Sequence, residues 1–279
     1  MPILSAKARV AGIIGWPVGH SRSPRLHGYW LEKHGIDGAY IPLPIRPEHF
    51  KDTVRGLMRA GFAGANVTIP HKIAAFEVCD TVDHSARRAG AVNTLIFHDG
   101  KIRGLCTDGL GFVLNLRAHG VDLKAGPALL LGAGGAARAI AAVLLDEGVS
   151  VTIANRTPAH AEQLARDLPG PTIVPWDQRH VAVADHALIV NTTALGMEGK
   201  DPLMLDLSRA RPGTAVADIV YVPLETPLLR DAAARGLKPV EGLGMLLYQG
   251  VPGFQAWFGV EPKVDDDFRR FVAGDLVPR

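Results

Sequence analysis

Six consecutive residues near the middle of the chain, Gly132-Ala133-Gly134-Gly135-Ala136-Ala137, constrain the fold more than any other stretch. They lie between a compact apolar run at 127–131, which reads as a strand, and an alanine-rich helical stretch at 136–147 that Gly148 closes. A strand, a glycine turn and a helix in immediate succession open a doubly wound sheet. Without Cβ atoms the turn closes tightly, and its main-chain N–H groups, at the positive end of the helix, approach a pyrophosphate. The spacing has the GxGxxA form of a dinucleotide site, carried by Gly132, Ala133, Gly134, Gly135 and Ala136. The end of the next strand decides which dinucleotide. It reads Val151-Thr152-Ile153-Ala154-Asn155-Arg156-Thr157, with no acid where an NAD site places one for the ribose hydroxyl. A guanidinium grips a 2′-phosphate through paired charge-assisted hydrogen bonds, whereas a carboxylate repels it. Arg156, with Asn155 and Thr157 adding donors, therefore points to NADP(H); the alternative is a solvated loop arginine.

The rest of the chain alternates short apolar runs with helical patterns, which predicts an α/β class. Strands are expected at 9–15, 39–45, 64–69, 91–97 and 101–105, the last two joined by the hairpin signal Asp99-Gly100. Helices are expected at 47–60 and from Ser23 to His34, where Ser23-Pro24 reads as an N-cap followed by Pro at the first helical position. The pattern restarts with a helix at 108–119. Further strands follow at 149–154, 187–191 and 215–219, and helices at 242–258 and 265–272 end the chain. With 279 residues the chain has room for two domains of roughly 100–200 residues each. The predicted division is a discontinuous first domain, 1–107 with 242–279, and a second domain, 108–241.

Several function classes are disfavoured. The net charge is +2 and Lys and Arg are scattered, so no nucleic acid or acidic membrane surface is called for. No apolar run approaches the roughly 18 residues of a membrane span, and the N-terminus lacks the apolar core of a secretory signal. Cys79 and Cys106 form no CxxC pair, and the 11 histidines show no ligand spacing, so no metal is expected. Reduced thiols suit a cytoplasmic enzyme acting on a small molecule, as monomer or homodimer. The terminal Leu276-Val277-Pro278-Arg279 has the form of a protease-site scar and is set aside.

Candidate chemistry gathers in the first domain. In Asn66-Val67-Thr68-Ile69-Pro70-His71-Lys72, period two puts Asn66 and Thr68 on one face, and Lys72 follows at the strand's carboxyl end, where α/β crevices open. Each has an ordinary alternative as a solvent-facing strand residue or surface lysine. Asp108, in Cys106-Thr107-Asp108-Gly109, opens a helix, and capping competes with any chemical role. Ser21-Arg22-Ser23 brings two hydroxyls to a helix entrance, an arrangement suited to a carboxylate, although Ser23 also suits a cap.

Taken in order, these motifs resemble the shikimate dehydrogenase family. The match runs from Gly15-Trp16-Pro17 and Ser21-Arg22-Ser23-Pro24 with His27, through Asn66–Lys72 and Gly90-Ala91-Val92-Asn93-Thr94, to Thr107-Asp108-Gly109 and the glycine turn. It continues through Asn155-Arg156-Thr157, Asn191-Thr192-Thr193, Asp218-Ile219-Val220-Tyr221 and Gly242-Leu243-Gly244-Met245-Leu246 with Gln249. The resemblance implies an N-terminal substrate domain, a Rossmann-like NADP-binding domain and the reversible reduction of 3-dehydroshikimate to shikimate. It implies that Ser21 and Ser23 hold the substrate carboxylate and that Asn66, Thr68, Asn93, Asp108 and Gln249 meet ring hydroxyls, with Tyr221 close by. It implies further that Lys72 and Asp108 are the catalytic pair and that Ile219 and Gly242 border the cofactor. A broader quinate/shikimate enzyme using NAD is the nearest rival. The chain departs from the family where relatives often carry Asn in place of Cys106, Asn in place of Gly28, Pro or Ser in place of Ala194, a basic residue in place of His160 and an acid in place of His84.

Overall fold

The computed structural model describes residues 3–276, and residues 277–279 of the suspected scar lie outside them. It contains two compact units, 3–107 with Leu247–Gly274, and Asp108–Leu246. The expected return to the first domain was at 242; the second unit extends to Leu246, one turn into the helix that carries the chain back.

In the first unit the order is β1 (Arg9–Gly15), α1 (Ser23–Lys33), β2 (Gly38–Pro44), α2 (Phe50–Arg59), β3 (Gly64–Val67), α3 (Lys72–Val78), β4 (Thr81–Val82), α4 (His84–Ala89), β5 (Thr94–His98) and β6 (Lys101–Leu105). The sheet runs β2-β1-β3-β5-β6-β4. Its first three strands are parallel, and β5 and β6 form the antiparallel hairpin expected around Asp99-Gly100. Two expectations change here. β3 ends at Val67 rather than Ile69, because Thr68 closes a turn by accepting from the His71 N–H (3.0 Å) and Pro70 has no N–H for a ladder. The N-cap of α1 is Arg22 rather than Ser23, and no side chain caps it.

The second unit runs α5 (Asp108–Ala118), β7 (Ala128–Leu131), α6 (Gly135–Asp146), β8 (Val151–Ala154), α7 (Pro158–Asp167), β9 (Thr172–Val174), α8 (Arg179–Ala182), β10 (Leu188–Asn191), β11 (Ala215–Asp218), α9 (Pro227–Ala234) and β12 (Lys238–Val240). All six strands are parallel in the order β12-β11-β10-β7-β8-β9. Counted within the unit this is 3-2-1-4-5-6, read from the other edge, the dinucleotide-binding order. Its central strands are apolar on both faces, as a sheet covered on both sides requires. Ala128 and Leu130 of β7 enter one core with Ile140 and Leu144 of α6, while Leu129 and Leu131 enter the other with Leu228 of α9. The chain ends with α10 (Leu243–Phe258) and α11 (Asp266–Ala273). From Leu247 onward these pack in the first unit, where Trp257 donates to the Leu95 carbonyl (2.9 Å) and Trp30 stacks on Phe268 at 4.4 Å.

Candidate active site

In the first unit the candidates collect at the carboxyl ends of β1 and β3. The segment after β1 is anchored through Arg22, whose guanidinium donates to the Val272 carbonyl at 2.9 Å. That leaves two serines at the entrance of α1. Ser21 is half-buried, Ser23 is 3% exposed, and the Ser23 N–H donates to Ser21 Oγ at 3.2 Å. The capping alternative for Ser23 falls away, since its hydroxyl makes no cap bond. Thr68 packs its methyl against β1 so closely that a Cβ on Gly15 would sit 2.6 Å from it.

Lys72 is half-buried and is the first residue of α3. Two neighbours fix its backbone. Its carbonyl accepts from the Val92 N–H at 2.9 Å, and His71 holds the Ile45 carbonyl at 2.8 Å while stacking on Phe50 at 4.6 Å. A carbonyl only accepts, so His71 Nε2 carries the proton, and burial pushes its pKa below the ordinary imidazole value. His71 is therefore a neutral pin beside Lys72.

Asn66, Asn93, Thr94, Thr107 and Gln249 form one buried hydrogen-bonded group. Asn66 Nδ2 donates to the Asn93 carbonyl (3.2 Å) and to Thr94 Oγ1 (3.1 Å). Asn93 Oδ1 accepts from the Thr107 N–H (2.8 Å) and from Thr94 Oγ1 (3.1 Å), and Asn93 Nδ2 lies 3.0 Å from Thr107 Oγ1 and 3.3 Å from Gln249 Oε1. Thr107 Oγ1 reaches the Gln249 carbonyl at 2.9 Å. Both ends of the Asn93 amide are thus engaged within the unit, which makes Asn93 an organiser of its neighbours. Thr94 and Thr107 were not singled out from the sequence as site residues. The available signal was that they stand next to Asn93 and Asp108 in the matched motifs.

Asp108 follows Thr107 directly as the first residue of α5, and it is buried. Cys106 is also buried, and its N–H donates to Ser85 Oγ (3.2 Å), which fits a structural thiol. His84 is exposed at the start of α4, which Asp83 caps by accepting from the Ala86 N–H at 2.8 Å.

The second unit builds its half mainly from backbone. Gly132 has φ +115°, and a Cβ there would lie 2.5 Å from Thr192 Oγ1. That hydroxyl is already committed to the Leu131 carbonyl at 2.7 Å. At Gly134, the N-cap of α6, an added Cβ would meet no protein atom within 4 Å, and no side chain caps the helix. The turn therefore offers N–H groups and open space together, which is what a dinucleotide pyrophosphate needs, and the residues present fit that group. Gly242 packs on the main chain of Ile219, 2.5 Å from its carbonyl for a hypothetical Cβ, so these two predicted cofactor residues are brought together. Beside them Asp218, 1% exposed, accepts from Asn191 Nδ2 (2.9 Å), the Val220 N–H (3.0 Å) and Thr226 Oγ1 (2.7 Å). Burial raises its pKa to about 6, outweighing these three donors. Tyr221 is half-buried three residues on.

At the end of β8, Arg156 is exposed and makes no hydrogen bond or ion pair among the described residues. Asn155 Nδ2 turns inward to the Thr157 carbonyl (2.8 Å), so it shapes the loop. Thr157 and His160 are exposed. Among the described residues no group of three His, Cys, Asp or Glu could hold a metal, and no helix is long and apolar enough to cross a membrane.

Three family models match in succession: a shikimate dehydrogenase substrate binding domain over residues 13–95, shikimate / quinate 5-dehydrogenase over 115–199, and a shikimate 5'-dehydrogenase C-terminal domain over 242–266. The shikimate dehydrogenase (NADP(+)) of Acidiphilium cryptum (strain JF-5) is 67% identical over 275 residues, covering 99% of both chains. The chain belongs to the shikimate dehydrogenase family. Shikimate 5-dehydrogenase from Thermus thermophilus, solved with NADP(H) and shikimate, superposes with a TM-score of 0.86 at 38% identity, over 96% of this chain and 100% of that one. Quinate dehydrogenase from Corynebacterium glutamicum, solved with NAD, gives 0.88 at 28% identity, over 95% and 98%. The shikimate dehydrogenase fold thus hosts both substrates and both cofactors, so the choice between them rests on this chain's own residues.

Proposed function

We propose that the chain catalyses the reversible, NADPH-dependent reduction of the ring ketone of 3-dehydroshikimate to shikimate, with Lys72 as acid and base. One observation carries this reading. A single chain joins a glycine cradle on a 3-2-1-4-5-6 sheet to a separate unit where Ser21, Ser23, Asn66, Thr68 and Lys72 share the carboxyl end of two parallel strands. The 67% identical relative, named shikimate dehydrogenase (NADP(+)), supports the same reading.

The mechanism follows from what each group can do. Ser21 and Ser23 offer hydroxyls to the substrate carboxylate. Asn66, Thr68, Asn93, Asp108 and Gln249 meet the ring hydroxyls, Asn93 also holding Asn66 and Gln249 in place, and Tyr221 borders the ring. NADPH, held by Gly132, Ala133, Gly134, Gly135 and Ala136, with Ile219 and Gly242 beside it and Arg156 on the 2′-phosphate, supplies the hydride when bound. Reduction places negative charge on the former carbonyl oxygen. A lysine carries an ammonium at neutral pH, so Lys72 gives that oxygen its proton and removes one in the reverse direction. Its half-buried position, pinned through His71 and Val92, lets one geometry serve both directions. Asp108 orients the substrate and the ammonium. Cys79 and Cys106, both held as thiols, suit the cytoplasm.

The test is the loss of NADPH absorbance with purified chain and 3-dehydroshikimate, run beside NADH and, in the oxidative direction, quinate. NADPH with 3-dehydroshikimate should give the highest kcat/KM. A higher value for quinate with NAD would move the chain to the quinate branch of the family.

A further inference from the structure

One buried residue in the first unit belongs to none of the motifs above, yet it touches the substrate side directly. Tyr40, on β2, pairs with Ala11 of β1, which pairs with Gly64 of β3; Asn66 lies two residues further on, on the same face. Ala11 is small enough to let the tyrosine cross over β1. Tyr40 Oη reaches Asn66 Oδ1 at 2.6 Å.

The direction of that bond follows from the neighbours. The Asn66 atom beside the Asn93 carbonyl must be the donor, because a carbonyl has no proton to give, so the other end of the amide is the acceptor. Tyr40 therefore donates. Each later step has one consistent direction: Asn66 Nδ2 to Thr94 Oγ1, Thr94 Oγ1 to Asn93 Oδ1, Asn93 Nδ2 to Thr107 Oγ1, and Thr107 Oγ1 to the Gln249 carbonyl. Both Asn66 N–H groups are used inside this chain, so what Asn66 can offer a ligand is the remaining acceptor site on Oδ1.

We propose that Tyr40 is a positioning residue for the substrate site, locking the Asn66 amide so that it recognises a substrate hydroxyl as a hydrogen-bond acceptor only. The setting keeps Tyr40 a donor. Its ring stacks on His27 at 4.0 Å and lies 5.9 Å from Trp257. Burial raises the phenol well above its ordinary pKa, against the opposing effect of the Ser23 hydroxyl, so the proton stays on the oxygen. The His27 imidazole is fully buried, with the Asn66 side chain beside it. Burial lowers its pKa to about 3 against the opposing effect of the Asn66 side chain, so no charge develops against the phenol. Through Ser23 on one side and Asn66 on the other, Tyr40 joins the carboxylate and hydroxyl ends of the site.

The inference rests on the reading of Asn66 as a substrate contact, and the experiment separates the two. Steady-state kinetics are compared for wild type, Tyr40→Phe, Asn66→Ala and the double variant, with thermal unfolding recorded for each. Asn66→Ala should raise KM for 3-dehydroshikimate about tenfold or more, and Tyr40→Phe about fivefold, with kcat and KM for NADPH changed less than about twofold. The double variant should be no worse than Asn66→Ala, because the tyrosine acts through the amide. A purely structural role would lower thermal stability without this split. An unchanged KM in Tyr40→Phe, or additive effects in the double variant, overturns the proposal. An unchanged KM in Asn66→Ala removes the substrate reading of Asn66 and the proposal with it. Should Tyr40→Phe fail to fold, Thr94→Val, which removes the amide's other anchor, must show the same non-additivity with Asn66→Ala for the proposal to stand.

Discussion

In the second unit, the groups assigned to the cofactor are mostly main chain: a glycine turn, a helix entrance, and Gly242 resting on the backbone of Ile219. In the first unit, the groups assigned to the substrate are side chains, held by a hydrogen-bonded chain from Tyr40 to Gln249 that draws on β2, β3, β5, the segment after β6, and α10. The sheets beneath differ in the same sense. One is parallel throughout with apolar residues on both faces, whereas the other is mixed and carries a polar row in its buried face. A dinucleotide's phosphates can be met by any backbone that curves correctly. A small ring with several hydroxyls needs donors and acceptors of fixed polarity. Substitutions should therefore act differently in the two units: on shape in the second, on polarity and proton position in the first.

The largest expected effect is at the proton itself. Lys72→Ala should lower kcat by roughly 10²–10⁴-fold, the range for a general acid–base group, with KM for NADPH little changed. A variant keeping most of kcat in single-turnover reduction would remove Lys72 from the mechanism.

Shape in the second unit is tested by two glycines two residues apart. Gly132→Ala forces a side chain into φ +115° and against Thr192 Oγ1, so it should cost about 2–4 kcal/mol of stability, read by denaturant unfolding. Gly134 has φ −84° and open space around its missing Cβ. Gly134→Ala should therefore leave stability within about 0.5 kcal/mol while raising KM for NADPH about tenfold. Equal stability losses would mean that the turn has no room set aside for a ligand.

This contrast also explains what could be read from the sequence. The glycine turn was legible because its residues are contiguous and each answers a backbone requirement. β1 and β6 match their expected bounds for a related reason, since clean turn signals bracket them. Between Lys72 and Ala91 no element was expected, yet α3, β4 and α4 have seven, two and six residues, too few for periodicity to register. β9 and β12 are three-residue strands and escaped for the same reason. Ser23 read as a cap because a Ser-Pro pair carries that signal, while the backbone at Arg22 took the position. Tyr40 had no signal at all. Its partner is 26 residues away across an intervening strand, and only the register of β2 on β1 and β3 brings them together.

Asp218 is a place where the second unit also uses a buried side chain, and pH should expose it. Its carboxyl moves from 3.8 to about 6 on folding, so the folded state binds the proton more tightly than the unfolded one. The associated stabilisation is complete below pH 3.8 and is lost as pH rises through 6. A difference of that size in proton affinity corresponds to about 3 kcal/mol. Asp218→Asn removes the titration, so the stability of wild type relative to this variant should fall by about 2–3 kcal/mol between pH 4 and 7.5. Parallel curves across that window would show that the three donors, rather than burial, set the ionisation of Asp218.

The smallest effect is expected at Arg156, and it bears on the choice between cofactors. The residue is exposed and makes no hydrogen bond or ion pair among the described residues, so its removal should cost no stability. Asn155 is turned to the Thr157 carbonyl, which leaves the Arg156 guanidinium as the permanent cation of this loop. Losing its hydrogen bonds to an exposed phosphate should therefore raise KM for NADPH by about tenfold in Arg156→Ala, while KM for NADH moves less than about twofold. A penalty shared equally by NADH and NADPH would instead make Arg156 a loop-shaping residue, and would leave preference for the phosphorylated cofactor to be explained by the backbone alone.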